Sequence, residues 1–304
     1  MVAAFEFEVL GGFDLTTANE YFGGWTTEPP PGFAVQMAFP VEGWHTAAAV
    51  MVRQDSETRV SGQVYGAGRH AEMAWSQALA VLSLDEDGLG FAAVGRRDPV
   101  IGGLQRRHPG LRPVLFHSPY EAAAAFVIGH RITVQQGRLI RQRMAAEAGE
   151  QVTTPAGSVP AFPSPQALLE LQSFPGIPAA KWPRLHGVAR AALDGVLDRS
   201  RLRALPYEDA LAQLRAIPGL GPFFSQGVLI RGAGLVDAVS DDAVTRQAVQ
   251  KAYGLRTEPT PRRVLEIAEA WRPYRTWAMV LLHVWLRREA GGAGAGRQRT
   301  KGKA

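Results

Sequence analysis

The sequence predicts an α+β chain: a small N-terminal antiparallel-sheet domain followed by all-helical domains. Three observations carry this. Period-two alternation of apolar and polar residues is confined to residues 1–110. From Pro119 onward apolar residues recur at helical spacing, in stretches broken by proline and glycine. Within that part, Leu211-Ala-Gln-Leu-Arg-Ala-Ile-Pro-Gly-Leu-Gly221 reads as helix, tight turn and the start of a second helix.

Phe5-Glu-Phe-Glu-Val9 alternates strictly and opens the sheet. Residues 13–22 read as helix. Residues 33–39, 47–53 and 59–65 are short strands set off by Gly, Pro and Asp, and 72–84 is a second helix with one more strand expected after it. Residues 98–110 read as a short helix and turn that close a first domain over 1–112. A helical region over 113–290 follows, expected as two subdomains with a cleft between them. It contains one or two alanine-rich helices over 120–144. Residues 151–165 hold four prolines and are predicted as loop. Helices are then predicted over 166–171, 179–193, 207–216, 222–231, 243–252, 262–269 and 275–288. Phe174-Pro-Gly-Ile-Pro178 imitates the glycine turn, but Pro178 replaces its second glycine, so an ordinary interhelical turn is expected. Residues 291–304 are glycine-rich and basic and are predicted disordered, either a weak electrostatic grip on an anionic partner or a solvated stub.

With 304 residues the chain can build two or three domains. Its 46% hydrophobic and 20% charged content is that of a soluble globular protein. No apolar run approaches the ~20 residues of a membrane span. Acids near the N-terminus stand where a signal peptide needs bases, so a cytoplasmic protein is expected. A net charge of +5 favours an acidic partner, nucleic acid first. The absence of cysteine excludes disulfides, a thiol nucleophile, Cys-ligated zinc and an iron–sulfur cluster.

Gly219 and Gly221 leave backbone N–H groups bare at a helix start, which suits a phosphate without any charged side chain. Downstream, Ser240-Asp-Asp-Ala-Val-Thr-Arg246 places carboxylates near that turn. A negative group beside a phosphate site is costly unless it does chemistry. The same residues also suit capping of a helix from Ala243. Asp241 capping while Asp242 faces a site would satisfy both.

Ile217-Pro-Gly-Leu-Gly221 with Asp242, together with Ile128-Gly129, Phe162-Pro-Ser-Pro-Gln166, Lys181 and Trp271-Arg-Pro-Tyr-Arg275, resembles the helix–hairpin–helix DNA glycosylases. Within that superfamily the chain is most similar to the 3-methyladenine DNA glycosylase II branch, over residues 112–288. The resemblance implies a monofunctional enzyme of base excision repair. It would flip an alkylated purine out of duplex DNA and hydrolyse its N-glycosidic bond. Asp242 would stabilise the oxocarbenium-like sugar or draw a proton from water. Where bifunctional relatives carry a Schiff-base lysine stands Phe223, so no lyase activity is implied.

Phe223 would instead stack on the base, with Trp25 from the first domain and Trp277, His283 or Trp285 from the last helix as further walls. Core packing is the competing role for each tryptophan. Gly227 stands where relatives place a pocket tyrosine, implying a wider pocket. Arg131, preceded by His130, takes the position of the wedge that fills the vacated stack; a solvated arginine at a helix bend is the alternative. The backbone carbonyls of Arg215, Ile217 and Leu220 would hold a monovalent cation, and the amides of Gly219, Gly221 and Phe223 would face phosphates. No other cofactor is implied. The expected partner is damaged double-stranded DNA, bound by a monomer that is nucleoid-associated while on DNA. Two alternatives stay open: a glycosylase for deaminated or oxidised bases, and a non-catalytic helix–hairpin–helix DNA-binding protein.

Overall fold

The computed structural model describes residues 2–21, 27–240 and 242–299, with side chains described except at 19–21 and 290–299. Four strands, β1 (Val2–Glu8), β2 (Val35–Pro40), β3 (Ala47–Gln54) and β4 (Arg59–Tyr65), form one antiparallel sheet in the order β1-β4-β3-β2. Val2 lies opposite Tyr65, Val50 opposite Val64 and Met37 opposite Val50. Helix α1 (Ala71–Val81) covers the sheet through Trp75, Ala78 and Leu79. Between β1 and β2 the expected helix is a 3-10 helix, Leu15–Tyr21.

The strand expected between α1 and the end of the first domain does not form over residues 82–112. Instead α2 (Phe91–Arg97) and α3 (Pro99–Arg107) form a helical pair, Asp98 capping α3 through Val100 N and Ile101 N. Val94, Ile101 and Leu104 pack with the C-terminal helices rather than on the sheet. This pairing depends on residues far along the chain, which local alternation cannot reveal.

The helical part begins with α4 (Pro119–Gly129), capped by Ser118 and buried nearly all round, and α5 (Val134–Ala148), opened by a Thr133–Gln136 capping box. Residues 151–165 are not merely loop. Gln151–Thr154 (β5) and Gly157–Pro160 (β6) form a hairpin whose Val152 and Val159 pack against Ala38, Ala47 and Ala49 of the sheet. The prolines fall outside or at the end of the paired residues, where no ladder donor is lost.

Then come α6 (Pro165–Glu170), α7 (Trp182–Leu193) behind a 3-10 turn, and α8 (Arg199–Ala204), which periodicity does not predict. The Phe174–Ile177 turn is an ordinary interhelical one. Helix α9 (Tyr207–Arg215) leads through the glycine turn to α10 (Pro222–Val228), which runs on as a π-helix over Leu229–Ala233. Helices α11 (Ala243–Ala252), α12 (Pro261–Ala268) and α13 (Arg275–Arg299) close the chain. The helical span of α13 carries on into the glycine-rich stretch expected to be disordered.

Arg112 ties the sheet to the helices. Its guanidinium donates to the carbonyls of Gly11, Gly12, Ser83 and Glu86 and lies 4.9 Å over the Trp277 ring. Burial, opposed by Tyr274 and nearby acids, pulls its pKa down to about 10, which still leaves it charged at neutral pH.

Candidate active site

The carboxylate side is built on the start of α11. Asp242 is itself the N-cap: its Oδ1 accepts from Val244 N at 2.8 Å and Thr245 N at 3.0 Å. The expected division of labour with Asp241 is therefore corrected for Asp242, which does cap; Asp241 lies outside the described residues. The second oxygen, Oδ2, accepts from Ser240 Oγ at 2.6 Å and lies 3.4 Å from Thr245 Oγ1. Thr245 Oγ1 is in turn 2.9 Å from His283 Nε2 on α13.

Burial opposes ionisation of Asp242. The Ser240 hydroxyl and the Thr245 and Val244 amides outweigh it and hold the carboxyl below its ordinary range. His283 is pushed down to about 4 by burial, against the pull of Asp242 and with help from Arg231 and Arg287. At neutral pH the imidazole is uncharged, so the hydrogen bonds keep Asp242 ionised.

The segment carrying Ser240 and Asp242 is anchored from two directions. Arg275 donates to Asp237 Oδ1 at 2.8 Å and to Asp237 O at 2.7 Å, and Thr276 Oγ1 donates to Leu235 O at 2.6 Å. The Trp-Arg-Pro-Tyr-Arg stretch thus fastens the loop that delivers the carboxylate. From α10, Gln226 Nε2 donates to Val239 O at 3.2 Å. A cavity of about 510 Å³ beside Gln226, Tyr207 and Asp237 is lined by neither Asp242 nor Phe223 and is not the candidate base site.

On the hairpin, Gly219 adopts φ +95°, and a Cβ there would come within 2.8 Å of the Arg184 side chain. Gly221 caps α10 with no side-chain acceptor, and Pro222 at the first helical position has no donor. Leu220 N donates to Ile217 O at 3.0 Å, and Ser225 Oγ donates to Leu220 O at 3.2 Å. A carbonyl accepts twice, so Ile217 and Leu220 each retain capacity for a cation.

The expected aromatic pocket is partly redrawn. Phe223 is 57% exposed beside the turn, its ring 5.8 Å from Phe224. Trp277 is corrected to a core residue: it is buried edge-on to Phe91 at 5.2 Å under Arg112. His283 is likewise corrected: only 7% exposed, it backs Asp242 through Thr245 instead of offering a face to a base. Helical spacing places these residues on α13 but does not say which side faces the site. Trp285 is partly buried in the C-terminal cluster, its Nε1 unpartnered among the described residues. Trp25 lies outside the described residues.

The wider pocket expected from Gly227 is not found. A Cβ at 227 would lie 2.5 Å from Phe126 Cζ, so a ring from α4 already occupies that volume. Phe126 stacks on Phe224 at 5.3 Å and packs against Phe116 at 5.9 Å. The guanidiniums of Arg141 and Arg231 lie over Phe116 at 5.2 and 5.7 Å. Sequence reasoning missed this row, because its members come from separate segments.

The wedge loop follows α4. Arg131 is exposed and adopts φ 61°, a left-handed conformation that costs a non-glycine residue roughly 1–2 kcal/mol. His130 packs edge-on to Phe224 at 5.8 Å. Buried Lys181 holds the loop base, donating to Ile128 O at 2.7 Å and His130 O at 2.8 Å. A lysine between Ala180 and Trp182 in an apolar helix start is the sequence signal for that role.

A glycine turn opening one helix, a carboxylate capping another and a small antiparallel sheet in front together define a helix–hairpin–helix glycosylase fold. The solved 3-methyladenine DNA-glycosylase of Archaeoglobus fulgidus shares it with a TM-score of 0.77 over 93% of this chain and 98% of that one, at 19% identity. No family model matches the chain. In sequence it is 24% identical to a DNA-3-methyladenine glycosylase of Bacillus subtilis, over 66% of this chain and 67% of that protein. It is 28% identical to DNA-3-methyladenine glycosylase 2 of Escherichia coli, over 61% of this chain and 63% of that protein. A probable bifunctional transcriptional activator/DNA repair enzyme AlkA of Mycobacterium tuberculosis is 27% identical, over 67% of this chain, which spans 40% of that longer protein. In sequence the chain is thus similar to proteins named DNA-3-methyladenine glycosylases, and in fold to a solved member of that group.

Proposed function

We propose that this protein is a monofunctional DNA glycosylase that hydrolyses the N-glycosidic bond of alkylated purines in duplex DNA. The observation that carries the reading is the Asp242 carboxylate: ionised, held at both oxygens, and carried on a loop fastened to the hairpin helix. Cleavage builds positive charge on the deoxyribose, and a fixed, partly desolvated carboxylate stabilises that charge or takes a proton from the attacking water. Phe223 supplies no amine, so the product is an abasic site with its strand intact.

The hairpin amides and the basic chain grip phosphates without reading sequence, and binding weakens steeply with salt. The Ile217 and Leu220 carbonyls, with that of Arg215, would hold a monovalent cation that adds positive charge at the turn. Exposed Arg131 enters the stack vacated by the flipped base. Single-turnover release of 3-methyladenine and 7-methylguanine from methylated duplex, compared between the native chain and Asp242→Asn, tests the reading. Base release by the native chain and its loss in a variant that still binds duplex is expected. Duplex binding without release of any alkylated, deaminated or oxidised base would leave only a binding protein.

A further inference from the structure

Resting on the glycosylase reading, we propose that Phe126 of α4 is a specificity-determining wall of the base pocket. It stands in the volume that a side chain at 227 would otherwise fill, and it selects flat, electron-poor purine rings. The first ground is steric. Gly227 sits one helical turn after Phe223, on the helix opened by the hairpin, and the Phe126 ring comes within 2.5 Å of where its Cβ would be. Any larger residue at 227 must displace that ring, so the pair is one solution to one volume.

The second ground is position. Phe126 is only partly buried and stacks on Phe224 with 21° between ring planes. One end of this aromatic row reaches the exposed Phe223 and the loop residue His130. The other end is Phe116, buried in the helical core under the Arg141 and Arg231 guanidiniums. The row therefore runs from the hairpin turn and the loop that would enter the base stack into the helical core.

The third ground is coupling. Phe126 and His130 stand four residues apart near the end of α4, and both rings touch Phe224. A wall carried on the hairpin helix would be independent of the wedge. Here the wall stands on the helix that leads straight into the wedge loop, and Lys181 pins their junction. An aromatic face attracts cationic N-alkylpurines by stacking and cation–π contact.

The test is single-turnover base release by the full chain from duplexes carrying 7-methylguanine, 3-methyladenine, neutral hypoxanthine or the bulkier 1,N6-ethenoadenine. Phe126→Ala is expected to slow methylpurine release about tenfold while ethenoadenine release holds or rises. Phe126→Leu, which keeps apolar volume without a π face, is expected to slow the cationic substrates more than hypoxanthine. Gly227→Tyr alone is expected to lose activity, and Phe126→Ala/Gly227→Tyr to recover methylpurine release to within a few-fold of native. An unchanged substrate ratio in both Phe126 variants, or a double variant no better than Gly227→Tyr, would overturn the inference alone. So would a parallel fall on all substrates together with thermal stability, the mark of simple core packing. No release by the native chain from any of the four duplexes would overturn the glycosylase reading and this inference with it.

Discussion

The carboxylate wall and the aromatic wall of this site are held in different ways. Asp242 is over-determined: two amides and a hydroxyl fix it, Thr245 and His283 stand behind it, and Arg275 with Thr276 anchors its loop. The aromatic wall rests on ring contacts of 5.3–5.9 Å between Phe116, Phe126, Phe224 and Phe223, with no directional bond among them. Hydrogen-bonded groups tolerate little displacement, whereas stacked rings can be exchanged if total volume is kept. The chemistry is thus locked, and the substrate range is carried by the side that sequence can alter cheaply.

The largest expected effect breaks the locked wall. Asp242→Asn should lower single-turnover release by about 10²–10⁴-fold. Because Asn caps helices as well as Asp does, its melting temperature should stay near native, whereas Asp242→Ala also loses about 1 kcal/mol of cap stability. Activity within tenfold of native in the Asn variant would remove Asp242 from the chemistry.

Next in size is the hinge between the walls. Lys181→Met leaves the Ile128 and His130 carbonyls without their buried cationic donor. Charge-assisted bonds of this kind contribute about 1.5–3 kcal/mol, so base flipping should slow roughly 10–100-fold. Stopped-flow fluorescence of 2-aminopurine beside the lesion reads that step separately from bond cleavage. A normal flipping rate with slow cleavage would place Lys181 elsewhere in the mechanism.

These two residues mark how far the sequence could be read. Gly219 and Gly221 follow from local backbone chemistry, which spacing along the chain expresses directly; a cap before Ala243 is legible in the same way, but which of the neighbouring acids makes it is not. Lys181 stands out as a lone lysine in an apolar helix start, but what it holds does not, since its partners are the distant Ile128 and His130 carbonyls. Gly227 misled: one strand of sequence shows a missing side chain as empty space, but a ring from another helix fills it. Trp277 and His283 share the periodicity of α13 with true core residues, so position on the helix was legible and facing was not. Helix α2 and the β5–β6 hairpin owe their form to tertiary partners.

A smaller change sharpens the role of the hydrogen bonds. Ser240→Ala removes the shortest bond to Asp242, the leading influence that lowers its pKa. A depressed carboxyl stays active down to low pH and loses activity as pH falls through its folded value. In the variant that acid limb should begin at higher pH, with a several-fold lower rate near neutrality. A pH–rate profile of single-turnover release measures both, and an unshifted acid limb would mean that the amides alone keep Asp242 ionised.

The smallest effect on rate is expected at His283. Burial holds its folded pKa at about 4 against an ordinary value of 6.5, so the unfolded chain takes up the proton first. Stability is therefore full above about pH 6.5 and declines as pH falls toward about 4, where the folded form also protonates. His283→Gln cannot take up that proton and retains a polar group facing Thr245. Release near neutral pH should stay within about twofold of native, and the imidazole's share of the stability loss over that window should disappear. Chemical denaturation at stepped pH reads the difference between the two chains. A neutral-pH rate that collapses in the variant would instead make the imidazole part of the chemistry, and the locked wall would then extend from Asp242 through Thr245 into α13.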